Sequence, residues 1–120
     1  TTTALIASCS TFYLSLLGKK GFRDVAYQNL AKTRYAIDQL TGIPGVRLAF
    51  QSPTFNEFVL TTRLAPDQIQ TKLLEKNIVA GLSLKKWFPE LDNASLWCVT
   101  ETKTKGDIDS LVRAMKEVLV

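Results

Sequence analysis

The fold is decided by the stretch Leu96-Trp-Cys-Val-Thr-Glu-Thr-Lys-Thr-Lys-Gly-Asp-Ile-Asp-Ser-Leu-Val-Arg-Ala-Met-Lys-Glu-Val-Leu119. Residues 96–100 are mostly apolar or β-branched and predict a strand. Thr104 and Asp107 then form a Thr-x-x-Asp variant of the capping box that begins a helix. Apolar residues recur at helical spacing beyond it, at Ile108, Leu111, Val112, Met115 and Leu119. The stretch predicts a strand that turns through a capped corner into a closing amphipathic helix.

Two helices are predicted at the other end of the chain. Residues 4–17 are apolar around most of a helical circumference, and we expect a buried helix there. Gly18 and Gly21 interrupt the pattern. Helical spacing then resumes at Phe22, Ala26, Leu30, Thr33, Ile37 and Leu40, and Gly42 with Pro44-Gly45 ends the second helix.

The first helix raises the question of what covers it. It is neither a signal peptide nor a membrane span, because Ser8, Ser10, Thr11 and Ser15 interrupt the apolar run, and a span needs about 20 apolar residues. The chain has few other elements to cover such a helix, and it does not begin with Met. We therefore expect residues 1–20 to be the connecting helix from a larger domain outside this sequence.

The middle of the chain alternates strand and helix patterns. Val46, Leu48 and Phe50 predict one strand and residues 55–62 a second, together an antiparallel hairpin. Pro66 begins a helix that Asn77 ends in a left-handed conformation. Residues 78–80 are predicted to be a short extended piece. Residues 81–93 are predicted to be a loop pinned by apolar side chains, namely Leu82, Leu84, Trp87, Phe88 and Leu91.

These elements predict an α+β fold, with a small, mainly antiparallel sheet covered by helices on one face. The 120 residues and 46% hydrophobic content suit a single domain over 1–120. The net charge of +4 would permit weak attraction to polyanions, but the sequence has no basic tail or stripe of the kind that indicates a nucleic-acid surface. Cys9 and Cys98 lie among apolar neighbours and are expected to be reduced core residues, which favours a cytoplasmic protein. The sequence contains no histidine, no paired catalytic cysteines and no phosphate-binding glycine loop.

Five segments carry a family resemblance that runs in order along essentially the whole chain. They are Leu16-Leu-Gly-Lys-Lys-Gly-Phe22, Thr54-Phe-Asn-Glu-Phe-Val59, Leu73-Leu-Glu-Lys-Asn-Ile-Val-Ala-Gly81, Phe88-Pro-Glu-Leu91 and Cys98-Val-Thr-Glu-Thr-Lys-Thr-Lys-Gly-Asp-Ile-Asp109. Together they resemble the C-terminal small domain of glycine dehydrogenase (decarboxylating), the P protein of the glycine cleavage system. The α subunit (subunit 1) is the better match, because the β subunit typically has a histidine where Asn56 stands and Pro-Thr-Glu where Val99 begins the equivalent triplet.

The resemblance implies an enzyme of the aspartate-aminotransferase fold that uses pyridoxal phosphate. In that family glycine is decarboxylated and its aminomethyl group passes to the lipoyl arm of the carrier H protein. The resemblance also implies a cytoplasmic heterotetramer in which the lysine that holds pyridoxal phosphate lies on the β subunit (subunit 2). We therefore expect no catalytic, cofactor or metal residue in this chain, and we expect the isolated chain to be inactive.

Two observations agree with a subunit that contributes no catalytic residue. The ten lysines are predicted to lie in polar turns or on solvent-facing helix positions, as for Lys32, where nothing would lower their pKa. Many relatives of this fold carry an arginine in the last strand that binds the substrate carboxylate. Leu96 stands at roughly that position here, and leucine cannot bind a carboxylate. The domain is therefore predicted to be mainly structural.

Five residues are the candidates for a cleft or an interface. Asn56 and Glu57 are polar residues in an apolar strand, so they either line a cleft or simply alternate out to water. Thr100 and Glu101 end the last strand, where they either face a cleft or cap a turn. Trp87 either anchors a partner surface or packs the loop onto its own core.

Two other functions stay open on the sequence alone. The chain could be a free-standing α+β module that binds amino acids or RNA, although it lacks the interleaved basic and aromatic strand residues that stack bases. It could also be the small domain of another pyridoxal phosphate aminotransferase, although Leu96 weighs against that. We expect the glycine dehydrogenase subunits and the H protein as partners, and neither nucleic acid nor a membrane.

Overall fold

The computed structural model describes residues 2–119 and has the predicted α+β architecture. Three helices cover one face of a four-stranded antiparallel sheet. The elements in chain order are α1 (Thr2–Thr41), β1 (Arg47–Leu48), β2 (Glu57–Thr61), α2 (Pro66–Leu74), β3 (Leu82–Ser83), β4 (Ala94–Cys98) and α3 (Lys105–Leu119).

Helix α1 is bent at Gly18. A straight helix of 40 residues would be about 60 Å long, yet the longest dimension of the molecule is 47 Å. Gly18 has φ 62° and ψ −176°, a conformation that favours glycine because it has no Cβ. The predicted break between two helices is therefore confirmed at Gly18, whereas Gly21 continues the helix.

Residues 2–17 of α1, called the arm from here on, project away from the core. Its large apolar side chains are mostly exposed, with Phe12 at 69% and Leu16 at 89%, so the described residues do not bury this helix, and its cover by a larger domain stays a prediction. Cys9 is exposed for the same reason, so its prediction as a core residue is wrong. The core begins only further along α1, with Thr33, Ala36, Ile37 and Leu40.

The sheet has the strand order β1-β2-β4-β3. The predicted hairpin is confirmed, because β1 pairs antiparallel with β2. The central pair joins distant parts of the chain, with Phe58 opposite Trp97 and Leu60 opposite Ser95. These four side chains are buried beneath the helices, whereas the alternate residues Glu57 and Cys98 are exposed on the open face. Cys98 is thus an exposed thiol and not the core residue that was predicted.

Helix α2 ends as predicted, but the short strand that follows lies later than expected. Asn77 has φ 58°, and the amide of Ile78 donates to the Leu73 carbonyl at 2.9 Å in a Schellman ending. The Ile78 amide takes part in this ending, and residues 78–80 pair with no strand of the sheet. Pairing resumes at Leu82–Ser83 against β4, inside the segment predicted to be a loop.

The predicted apolar contacts of the remaining loop are only partly correct. Leu84 is buried and Leu91 is half-buried, but Leu82, Trp87 and Phe88 are exposed by about half. In α3, Ile108, Val112, Met115 and Leu119 are buried as predicted, whereas Leu111 is only half-buried. Ala114 and Val118 are buried as well, so the buried face of α3 is wider than the sequence pattern predicted. No helix in residues 2–119 is long and apolar enough to cross a membrane.

Candidate functional site

The antiparallel pairing of β2 with β4 brings four of the five predicted site residues together. Asn56 immediately precedes β2 and Glu57 begins it, whereas Thr100 and Glu101 follow β4, so both pairs lie at one end of the sheet. The amide of Val99 donates to the Asn56 carbonyl at 2.9 Å, which extends the ladder past β4. We call residues 99–104 the corner, since they carry the chain from this sheet end into α3.

Trp87, the fifth predicted residue, lies elsewhere, in the turn that follows β3. Trp87 is 55% exposed, and the Lys86 ammonium lies 5.5 Å from the centroid of its ring. It lines a shallow groove together with Asp67 and Gln70 of α2. Trp87 therefore neither pins the loop to the core nor joins the corner.

Three side chains of α1 hold the backbone of the corner. Thr33 Oγ1 donates to the Val99 carbonyl at 3.1 Å, and Lys32 Nζ donates to the Glu101 carbonyl. Asn29 Oδ1 accepts a hydrogen bond from the Glu101 amide at 2.9 Å. Because both polar backbone groups of Glu101 have side-chain partners, the corner is fixed to α1 without a continuous ladder.

The Asn29 side-chain amide links α1 to the corner, because its oxygen and its nitrogen each form a hydrogen bond. Its Oδ1 holds Glu101, and its Nδ2 donates to the Val25 carbonyl within α1 at 3.1 Å. The residue is only 7% exposed, and the contact spans 72 positions of sequence. Sequence reasoning missed Asn29 as a site residue. The sequence signal for Asn29 was its helical spacing from Thr33 and Leu40, which places all three on the buried face of α1.

Lys32 corrects the prediction that the helical lysines face solvent. It is half-buried, whereas the other nine lysines are exposed. Its ammonium donates to the Glu101 carbonyl, so Lys32 helps to fix the backbone of the corner.

The predicted capping box at the start of α3 is confirmed. The Thr104 amide and hydroxyl both donate to the Asp107 carboxylate, at 2.8 and 2.7 Å, and the Asp107 amide donates to Thr104 Oγ1 at 3.1 Å. These bonds from Thr104 lower the pKa of Asp107, because they favour the charged carboxylate. The corner is thus fixed at both ends, by α1 at its start and by the cap at its close.

A second contact joins α1 to α3 beside the cap. The Tyr35 hydroxyl donates to Asp109 Oδ1 at 2.6 Å, and Lys105 pairs with the other oxygen of that carboxylate at 2.6 Å. The Asp109 carboxylate raises the pKa of Lys105, and the ammonium in turn lowers the pKa of Asp109. Lys105 also lies 5.1 Å from the Tyr35 ring centroid, a cation–π distance.

The side chains at this end of the sheet hold the backbone in position. The Glu57 side chain is exposed, and the Thr100 and Thr102 hydroxyls lie 2.9 Å apart with no base between them. Within residues 2–119 no three potential metal ligands cluster, and the sequence has no histidine. The side chains that converge on the corner bond to backbone atoms and so fix its path.

Leu96 lies on the open face of the sheet in an apolar row. The register sets it opposite Val59 of β2 and Leu82 of β3. Val59 and Leu96 are half-buried and Leu82 is 54% exposed, with no charged side chain in the row. Leu96, which the sequence sets roughly where many relatives of this fold are expected to carry an arginine, thus has apolar neighbours in the sheet.

Replacing Asn29 by alanine should loosen the corner. The Glu101 amide would lose its acceptor, and we expect the free energy of unfolding to fall by about 1–2 kcal/mol. Hydrogen exchange of the Glu101 amide, followed by NMR, should quicken more than that of the α2 amides. Gln28→Ala is the matched control, because Gln28 is the exposed neighbour on the same helix. Equal exchange at Glu101 in both variants would contradict the role given to Asn29.

Comparison with known proteins places this arrangement in a family. The profile of the glycine cleavage system P-protein matches residues 1–115. The probable glycine dehydrogenase (decarboxylating) subunit 1 of Desulfitobacterium hafniense is 48% identical over 115 residues, which are 96% of this chain and 26% of that protein. The protein of the same name in Moorella thermoacetica is 44% identical over 97% of this chain and 26% of its own length. This chain thus spans about a quarter of these relatives.

Solved structures give the same result for the fold. A crystal structure of glycine decarboxylase (P-protein) of the glycine cleavage system, in inhibitor-bound form, superposes with a TM-score of 0.80 at 31% identity, over 90% of this chain and 24% of that one. The Escherichia coli cysteine desulfurase CsdA has a TM-score of 0.70 at 19% identity, over 88% and 28%, and supports the fold alone. From the profile and the identity to these relatives, the chain belongs to the glycine cleavage system P-protein family.

Proposed function

We propose that this chain is the C-terminal small domain of the α subunit of a two-subunit glycine dehydrogenase (decarboxylating). The complete enzyme would decarboxylate glycine and pass the aminomethyl group to the lipoylated H protein. The observation that carries the proposal is the family match along essentially the whole chain, to relatives that bear the name of subunit 1. Family membership also disfavours the two alternatives, a free-standing binding module and an aminotransferase domain.

Pyridoxal phosphate, which supplies the electron sink for loss of the carboxylate, does not fit the residues of this chain. Nine of the ten lysines are exposed, and the half-buried Lys32 donates to a backbone carbonyl. A lysine that holds this cofactor needs a desolvated amine free to react. The family resemblance implies that this lysine lies on the β subunit, so we assign the cofactor to that subunit and derive no catalytic step from this domain.

The domain would act as a scaffold at the active-site cleft. The corner, fixed by Asn29, Lys32 and Thr33, sets the path of Thr100 and Glu101 beside Asn56 and Glu57. Such a fixed sheet end could shape a cleft wall without contributing a reacting group. Its effect on turnover would be indirect, through the folded state of the subunit and its contacts with the β subunit.

Residues 1–20 would be the connecting helix from the large domain of the same subunit. The arm exposes a run of apolar side chains, including Leu5, Ile6, Phe12 and Leu16. Monomers rarely leave so large an apolar surface in water. We propose that the large domain covers the arm in the complete subunit, which would assemble with the β subunit as a cytoplasmic heterotetramer.

The assignment is tested with the complete subunit that contains this sequence. Co-expressed with a tagged subunit 2, it should co-purify and, with pyridoxal phosphate and lipoylated H protein, release carbon dioxide from glycine. Failure to co-purify together with absence of glycine decarboxylation would contradict the assignment.

The scaffold role is tested in that assembled complex by Asn56→Ala and Glu57→Ala. Each variant removes a side chain and keeps the backbone bond between Asn56 and Val99. We expect kcat/KM for glycine to stay within about twofold of the unmodified enzyme, because neither side chain contacts reacting atoms in this proposal. Glu117→Ala, an exposed acidic position on α3, is the matched control. Loss of turnover in a folded complex for Glu57→Ala but not for the control would make Glu57 a site residue.

A further inference from the structure

A groove runs along α1 just after the bend at Gly18. It has a volume of about 770 Å³, and Phe55, from the connection between β1 and β2, lies across from the helix. The helical lining includes Lys19, Arg23 and Tyr27, which are spaced four residues apart and so share one helix face. This basic groove is separate from the corner.

The charges along the basic groove are unbalanced. Lys19, Lys20 and Arg23 line it with a single carboxylate, Asp24, which leaves an excess of two positive charges. Among residues 2–119 the ion pairs are Arg34 with Asp38, Lys76 with Glu117 and Lys105 with Asp109, so none neutralises these three cations. Half of the chain's net charge of +4 is thus concentrated at one site.

The floor of the basic groove is apolar and open to solvent. Tyr27 is 69% exposed, Phe55 51% and Leu30 48%, so these side chains contribute little to the core of their own domain. Exposed aromatic rings beside unpaired cations are typical of protein recognition surfaces, where the rings supply buried area and the cations supply orientation.

We propose that the basic groove binds an acidic, amphipathic segment of a partner protein. A segment of this kind would place apolar side chains on Tyr27, Leu30 and Phe55 and carboxylates toward Lys19, Lys20 and Arg23. The concave shape disfavours a lipid surface, which is met by a convex amphipathic face. The carboxylate of Asp24 disfavours a continuous phosphate backbone. Every lining residue belongs to this chain, so binding would not require glycine dehydrogenase activity.

The test uses fluorescence anisotropy with two synthetic peptides of equal length. One carries glutamates with leucine and phenylalanine at helical spacing, and the other has glutamine in place of each glutamate. The labelled peptide is titrated with the complete subunit that contains this sequence. We expect the acidic peptide alone to bind, and to be released near 1 M salt, where the Debye length is about 3 Å.

Variants locate the binding surface. Arg23→Glu and Lys20→Glu should each weaken binding by about tenfold, because each turns an attraction into a repulsion. Tyr27→Ala should weaken it by about fivefold through loss of apolar contact. All three positions are exposed, so folding should be retained. Lys72→Glu, the same charge change at an exposed position of α2, should leave binding unchanged.

Four outcomes would overturn the proposal. They are equal binding of the glutamine peptide, equal weakening by Lys72→Glu, tighter binding of single-stranded RNA or anionic phosphatidylserine vesicles than of the acidic peptide, and self-association of the chain that Arg23→Glu abolishes. The last would make a second copy the occupant. A negative result here would leave the glycine dehydrogenase assignment intact, because that assignment is tested by subunit assembly and decarboxylation.

Discussion

Replacing Leu60 by alanine should lower the free energy of unfolding by about 2–5 kcal/mol, among the largest effects available to a single substitution in this chain. Leu60 is fully buried in the central strand β2, opposite Ser95 of β4 and Leu48 of β1. Truncation would leave a cavity between the sheet and the helices. Urea denaturation followed by circular dichroism measures the change.

The control for Leu60→Ala is Leu111→Ala, an identical truncation at a half-buried position of α3. It should cost clearly less, because part of its side chain stays in water in the folded state. If the two variants lost equal stability, the placement of Leu60 in the core and of Leu111 at its rim would be wrong.

Replacing Gly81 by alanine should cost about 3 kcal/mol, the upper end for a core that is overfilled. A Cβ at this position would lie 2.7 Å from the Leu96 carbonyl oxygen and 2.7 Å from the Trp97 ring. Neither can yield easily, because Leu96 is in the ladder of β4 and Trp97 Nε1 donates to Ser95 Oγ at 2.8 Å. Thermal unfolding followed by Trp fluorescence should show a lower midpoint and a perturbed Trp97.

Gly106→Ala supplies the matched control for Gly81→Ala. In α3 the new methyl group would meet only Thr104 Oγ1, at an ordinary 3.7 Å. Alanine should therefore raise the free energy of unfolding by about 0.4–1 kcal/mol, because it restricts the unfolded chain. A stabilised Gly81→Ala variant would show that β3 and β4 are further apart than described.

The parts of the fold that sequence predicted correctly are those fixed by neighbouring residues. The cap of α3 needs only Thr104 and Asp107, three positions apart, and both bonds form. The end of α2 needs only the left-handed conformation that Asn77 adopts. The hairpin of β1 and β2 also follows from two adjacent patterns. Each signal and its structural consequence lie within a short stretch of chain.

The parts that sequence could not predict depend on distant pairing. β3 contains two residues, and its position is set by pairing with β4 rather than by a local pattern. Asn29 became a site residue only because Glu101 lies beside it in space, 72 positions away in sequence. Asn56 was selected as a polar residue within a strand and Thr100 as the end of another strand, but the register that brings them together is a property of the folded sheet.

The exposure of Cys9 and Phe12 illustrates a different limit. Their apolar neighbours predicted burial, but a surface can be buried only by something that packs on it. Within residues 2–119 nothing packs over the arm. The apolar pattern therefore indicates a surface that would be buried by a partner, and the described residues do not bury it.

The two outer strands of the sheet are only two residues long, which limits how copies of this chain can associate. An incoming strand at Arg47–Leu48 or at Leu82–Ser83 would find few free backbone groups to pair with, and Arg47 would add a charge to one of those edges. The sheet is therefore a poor template for fibril growth. Aggregates of this chain should instead be amorphous and driven by side chains, with the sheet retained inside each molecule.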